Sequence, residues 1–126
     1  MLLHDTKTFT SFAVDDLDAA RTFYRSTLGI EVKDNEMGTL ELHLADRTPV
    51  MVYPKPDFEP ATYTVLNFEV RDVEQAVDEL TSKGVRMERY DRADMPQDER
   101  GITRDGDFAM AWFTDPAGNI IALLNS

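Results

Sequence analysis

The sequence contains no cysteine. Disulfides, thiolate metal sites and cysteine nucleophiles are therefore excluded together. Histidine occurs only twice, at His4 and His43, and there is no Gly-x-Ser-x-Gly, so no nucleophile is paired with a base. No segment approaches the roughly 18 consecutive apolar residues of a membrane span. Met1-Leu2-Leu3-His4-Asp5 is not a basic region followed by a long apolar run. The expectation is a cytoplasmic protein with no membrane partner. A glycine-rich phosphate loop is also missing, since Gly101 to Gly106 lacks a strand before it and a helix after it. Basic residues are few, 13 Lys and Arg against 24 Asp and Glu, for a formal charge of −11. Nucleic acid is thereby excluded as a partner, because phosphate neutralisation needs clustered cations. The acidic residues are spread along the chain, as on a solubilising surface, and would suit a cationic ligand only weakly.

What is present is ordinary globular material. The chain has 126 residues, the usual size of one domain. At this length about two-thirds of the unfolded surface can be buried, so a core needs no staples. The apolar fraction is 42% and the charged fraction 29%.

An internal repeat organises the chain. Phe12-Ala13-Val14-Asp15-Asp16-Leu17 recurs as Phe68-Glu69-Val70-Arg71-Asp72-Val73. Ala20 matches Ala76, and Leu28-Gly29-Ile30-Glu31-Val32 matches Lys83-Gly84-Val85-Arg86-Met87 after a one-residue slip. The reading is one domain over 1–126, in two modules, 1–58 and 59–126. Each module opens with a strand, Thr8 to Val14 and Tyr63 to Val70, rich in aromatic and β-branched residues. Asp16 and Asp72 are N-cap candidates, and Asp72 with Gln75 has capping-box spacing. The helices carry the stripes Leu17, Ala20, Tyr24, Leu28 and Val73, Ala76, Val77, Leu80. Gly29 and Gly84 stand where helices end. Short strands follow, Ile30 to Lys33 and Val85 to Glu88. Each module closes with a hairpin. The first is Gly38 to Ala45 and Pro49 to Tyr53, turning at Asp46-Arg47-Thr48. The second is Phe108 to Thr114 and Asn119 to Leu124, turning at Asp115-Pro116-Ala117-Gly118. Pro54, Pro56 and Pro60 read as a stiff linker. The polar segment Arg89 to Asp105 fits neither copy; such loops are lids, binding loops or disordered.

These residues resemble the vicinal oxygen chelate superfamily, which includes glyoxalase I, extradiol dioxygenases and bleomycin-resistance proteins. One signature runs from Phe12 to Leu17 through Ala20 to Phe23-Tyr24 and Leu28-Gly29. The other is Trp112-Phe113-Thr114-Asp115-Pro116-Ala117-Gly118-Asn119-Ile120-Ile121. The resemblance covers nearly the whole chain. It implies an α+β fold of two βαβββ modules forming an incomplete mixed-sheet barrel around a cavity, a small-molecule ligand in that cavity and, commonly, a homodimer.

In metal-dependent relatives one ligand lies early on the first strand of each unit and another on its last strand. The resemblance puts these positions at Phe9 and Val65, and at Tyr53 and Ala122. Phe, Val and Ala offer no lone pair, and Tyr is a poor donor without activation, whereas such sites use His and carboxylates. A one-residue slip brings in only Thr8, Thr10, Thr64, Leu66, Val52, Pro54, Ile121 and Leu123, none a strong ligand. No metal or other cofactor is expected, and catalysis is disfavoured.

Strand parity sends Phe12, Val14, Leu66, Phe68 and Val70 under the helices, and Phe9, Ser11, Ala13, Val65, Asn67 and Glu69 to the cavity. Phe9, Ser11, Tyr53, Val65, Asn67 and Trp112 are the candidate ligand-binding residues. Asn67 could orient a ligand, Trp112 and the tyrosines could stack on one, and Glu69 could meet a cation. Each also has a plain structural reading as core, edge or solvated residue. Glu41 and His43 share a strand face and could be base and orienter, or two metal ligands, although two donors make a poor site. The expected function is metal-free binding of an aromatic or cationic compound, as in bleomycin resistance. The alternatives are a glyoxalase-type lyase or isomerase and a dimeric interaction module.

Overall fold

The structure is a computed structural model in which residues 3–45 and 48–125 are described. Asp46 and Arg47 of the expected first turn lie outside the described residues. The chain divides into two units, Met1–Phe58 and Glu59–Ser126.

In the first unit an exposed 3-10 turn, Leu3–Asp5, precedes strand β1, Ser11–Val14. The unit continues with helix α1, Leu17–Thr22, and strands β2, Glu31–Asp34, β3, Leu40–His43, and β4, Val50–Pro54. The sheet order is β1-β4-β3-β2, with β1 and β4 parallel and the other pairs antiparallel. Alternation builds one packed face: Val14, Leu40, Leu42 and Val52 are all 0% exposed. Tyr24 is also fully buried, and its ring lies 5.9 Å from that of Phe12. The parity of β1 thus turns Phe12 toward the helical segment and leaves Ser11 and Ala13 on the opposite face.

Asp16 caps α1 by accepting from the Ala19 amide at 3.1 Å. The helix does not run on regularly to Leu28. Residues Phe23–Thr27 widen into a π-helical turn, in which the Leu28 amide bonds the Phe23 carbonyl at 3.0 Å. β1 is also shorter than expected at its start. Its partner begins only at Val50, and Ser11 pairs with Met51, so the level of Phe9 would fall on Pro49, which has no amide to give.

In the second unit strand β5, Thr64–Glu69, leads into helix α2, Val73–Ser82. Strands β6, Thr103–Asp105, β7, Phe108–Thr114, and β8, Ile120–Leu124, complete a sheet of order β5-β8-β7-β6, with β5 and β8 parallel. The order and strand directions repeat those of the first sheet. Leu66, Ala111, Phe113, Ile121 and Leu123 form one apolar face, each no more than 6% exposed. α2 packs against β7 and β8 through the buried Val73 and Val77. Asp72 caps it by accepting from the Gln75 amide at 3.1 Å. The reciprocal half of a capping box does not form, because the Gln75 side chain turns to Glu79 at 3.4 Å.

The clearest departure from expectation is the fourth strand. Val85 to Glu88 joins the sheet only by an isolated bridge from Met87 to Phe113 and a 2.8 Å bond from the Glu88 amide to the Trp112 carbonyl. The strand proper, β6, comes from the polar segment. Thr103 pairs with Met110 antiparallel, so an unbroken strand would set Arg100 against Phe113; Met87 stands there, 13 positions earlier. The fourth strand is therefore split, and the intervening residues loop out between its halves. In the first unit β2 pairs with β3 without a break. Among the described residues no helix is long and apolar enough to cross a membrane.

Candidate functional site

Register places the second-unit candidates in one row. Asn67 pairs with Ala122, and Ala122 pairs with Trp112. Paired residues share a face, so the three side chains lie side by side on the face opposite Phe113 and Ile121. The Glu88 amide bonds the Trp112 carbonyl one position from the bridge at Met87, which brings Glu88 opposite Trp112 and extends the row to a fourth residue. Met87 points the other way and lines a hollow of about 430 Å³ with Val77 of α2.

The row combines distinct environments. Ala122 is 0% and Trp112 6% exposed, while Asn67 is exposed. Among the described residues no group meets the Asn67 amide or the Glu88 carboxylate. Tyr90 stands over the row, its ring edge-on to Trp112 at 5.5 Å and 81°. Burial, and then the negative charge of Glu88, raise the Tyr90 phenol above its ordinary pKa. The phenol is therefore neutral at physiological pH.

Tyr90 is held by hydrogen bonds within the inserted loop. The Gln97 carboxamide closes the neck. Its oxygen accepts from the Tyr90 amide at 2.6 Å, and its nitrogen donates to the carbonyls of Glu88 at 3.1 Å and Gly101 at 2.7 Å. Gly101 has φ +84°, which disfavours any side chain, and a Cβ there would crowd the Glu88 carbonyl at 3.3 Å. Arg100 pairs with Glu74 at 2.8 Å and Asp78 at 2.9 Å, and Arg104 pairs with Glu74 at 3.2 Å, which ties the loop to α2. The loop also forms a hollow of about 460 Å³, lined by Tyr90, Pro96 and Gln97 among others.

The remaining candidates lie elsewhere. Ser11 pairs with Met51 and Ala13 with Tyr53, so exposed Ser11 and half-buried Tyr53 share the corresponding face of the first sheet. Phe9 precedes β1 and is 58% exposed, which removes it from the strand position assigned to it. Val65 falls in an irregularity: Thr64 pairs with Ile120 but Leu66 with Ile121, leaving Val65 without a partner in β8. Its place beside Ala122 is taken by Asn67.

Glu41 and His43 do meet, with Oε1 and Nε2 3.0 Å apart on β3. Among the described residues no third His, Asp or Glu joins them or forms any other metal-sized cluster. Of the positions that the resemblance assigned to a metal, Phe9, Val65 and Ala122 carry no donor atom, and the register sets the amide of Asn67 rather than Val65 beside Ala122. Glu88, Tyr90 and Gln97 were not among the residues expected from the sequence. The only advance signal was the length of the polar segment that carries the last two.

The split-module architecture and the paired first and last strands define a class, and comparison identifies it. The family model for the Glyoxalase/Bleomycin resistance protein/Dioxygenase superfamily matches residues 8–123, and the chain belongs to that family. No curated protein matches it. Among solved structures, an antibiotic binding protein from Streptomyces sp. CB03234 is 21% identical with TM-score 0.73, covering 99% of this chain and 98% of that one. A glyoxalase family protein from Enterococcus faecalis is 20% identical with TM-score 0.69, covering 98% and 100%. A family member from Sphaerobacter thermophilus is 24% identical with TM-score 0.69, covering 99% and 100%. At these identities the likeness is one of fold.

Proposed function

We propose that the chain binds a small aromatic molecule without the help of a metal, in the manner of the resistance proteins of its family rather than the enzymes. The observation that carries this reading is the row Asn67, Ala122, Trp112 on one sheet face. An aromatic ring, an apolar neighbour and one unengaged amide at the exposed end of the row are what a mostly apolar site with a few orienting polar groups requires. The absence of a His or carboxylate in the row Asn67, Ala122, Trp112 weighs in the same direction. That one structural neighbour is an antibiotic binding protein fits a role in sequestering a toxic compound. The proposed contacts are those of the second unit.

The chain has a single tryptophan, so Trp112 reports on the site directly. A screen of planar aromatic compounds should find some that quench Trp112 fluorescence and raise the melting temperature. Asn67→Ala should weaken them by about five- to tenfold, the worth of one hydrogen bond. If no compound does either, the reading fails.

The contact between Glu41 and His43 favours a second reading, a metal-assisted lyase or isomerase. Elemental analysis after incubation with zinc, nickel, manganese and ferrous iron decides between them. About one tightly held ion per chain, lost in His43→Ala, would support the enzyme.

A further inference from the structure

We propose that the ligand is a planar aromatic cation and that Glu88 is the residue that selects it. This rests on the reading of the row as the binding face and adds the chemical class to it.

Glu88 ends the row opposite Trp112, beside an edge-on pair of aromatic rings. It is half-buried, and no cation meets its carboxylate among the described residues. The two arginines that follow it in the chain are engaged elsewhere. Arg92 is held by Asp94 at 2.7 Å, and Arg89 donates to the Asp98 carbonyl at 2.7 Å. An indole face attracts positive charge, and a carboxylate at its border adds a charge-assisted partner for a protonated nitrogen. Tyr90 offers a second ring. Its backbone is fixed by Gln97. The position of Glu88 follows from the split strand: the residue is the last to follow the sheet before the chain turns away, so its side chain is placed by β7 rather than by a loop. The net charge of −11 draws cations toward the molecule at long range, and Glu88 supplies the local choice.

The test compares proflavine, a planar cation at neutral pH, with phenazine, a neutral tricycle of similar outline. Binding is followed by calorimetry and by quenching of Trp112. The unmodified protein should prefer proflavine by about tenfold or more, from one charge-assisted contact in a half-buried site. Glu88→Gln should erase the preference, so that the two compounds bind the variant with similar affinity. On the unmodified protein the preference should also shrink as salt is raised, which needs no variant to fold. An undiminished preference in Glu88→Gln, or one indifferent to salt, overturns the selection by Glu88 while the binding face stands. If neither compound quenches Trp112, the binding face itself is refuted and this proposal with it.

Discussion

Removing the Gln97 carboxamide should loosen the inserted loop and uncover Trp112. Three hydrogen bonds are lost in Gln97→Ala, at 2.6, 3.1 and 2.7 Å. At a net value of about 0.5–1.5 kcal/mol each, they sum to between about 1.5 and 4.5 kcal/mol. The groups are half-buried, so water takes over part of this, and the freed glutamine rotamers return up to about 1.5–2 kcal/mol. About 1 kcal/mol remains as the expected loss. Gln97→Met, of similar volume, should lose about as much, which separates bonding from packing. Gln97→Glu keeps an acceptor for the Tyr90 amide but sets an oxygen against the carbonyls of Glu88 and Gly101, and should be no better. The assay is urea denaturation followed by circular dichroism, together with acrylamide quenching of Trp112 in the folded protein. Quenching should rise, because Tyr90 is released from its contact with the indole. A midpoint within about 0.5 kcal/mol of the parent together with unchanged quenching would refute the role given to Gln97.

Other consequences are as direct. Asp72→Ala should cost about 1 kcal/mol in the same denaturation experiment, since the Gln75 amide loses its only side-chain acceptor at the start of α2. Gly118→Ala should cost more than about 1 kcal/mol, because the position has φ +95° and a Cβ would lie 3.3 Å from Pro60. Asp98 should contribute to acid lability. Burial raises its pKa, but the bond from Arg104 and the amides of Ile102 and Arg100 outweigh it and hold the carboxyl below the usual range. A depressed folded value means stability that is complete above about pH 4 and lost as pH falls through the folded value. Asp98→Asn should therefore flatten the stability profile below about pH 4, measured by thermal melts across pH.

Much of the fold was legible because single residues announce it. Asp16 and Asp72 cap the helices as expected, and Gly29 and Gly84 follow them with φ of 71° and 89°. The alternation of Phe12 and Val14 against Ser11 and Ala13 gave the buried face of β1 directly. The fourth strand of the second sheet was not legible, since Thr103-Arg104-Asp105 has no apolar alternation and owes its pairing to β7 alone. Nor was the π-helical turn, because Tyr24 fits a regular stripe equally well. The site divided along the same line. Asn67 and Trp112 sit on strands whose parity can be read, and the register sets them either side of Ala122. Val65 escaped because a local irregularity shifts pairing without a glycine or proline to mark it. Glu88 and Tyr90 escaped because their positions depend on where a strand is interrupted, which tertiary pairing decides.

The interrupted strand also has a consequence for how such a protein changes over time. Both ends of the insert are fastened to β7, at Phe113 on one side and Met110 on the other. Its exposed middle can vary while Ile102, 1% exposed at its far end, stays in the core, as a cartridge can be exchanged without altering the holder. A new ligand preference would then require only a different segment between Glu88 and Gly101, while Trp112 stays where the sheet puts it.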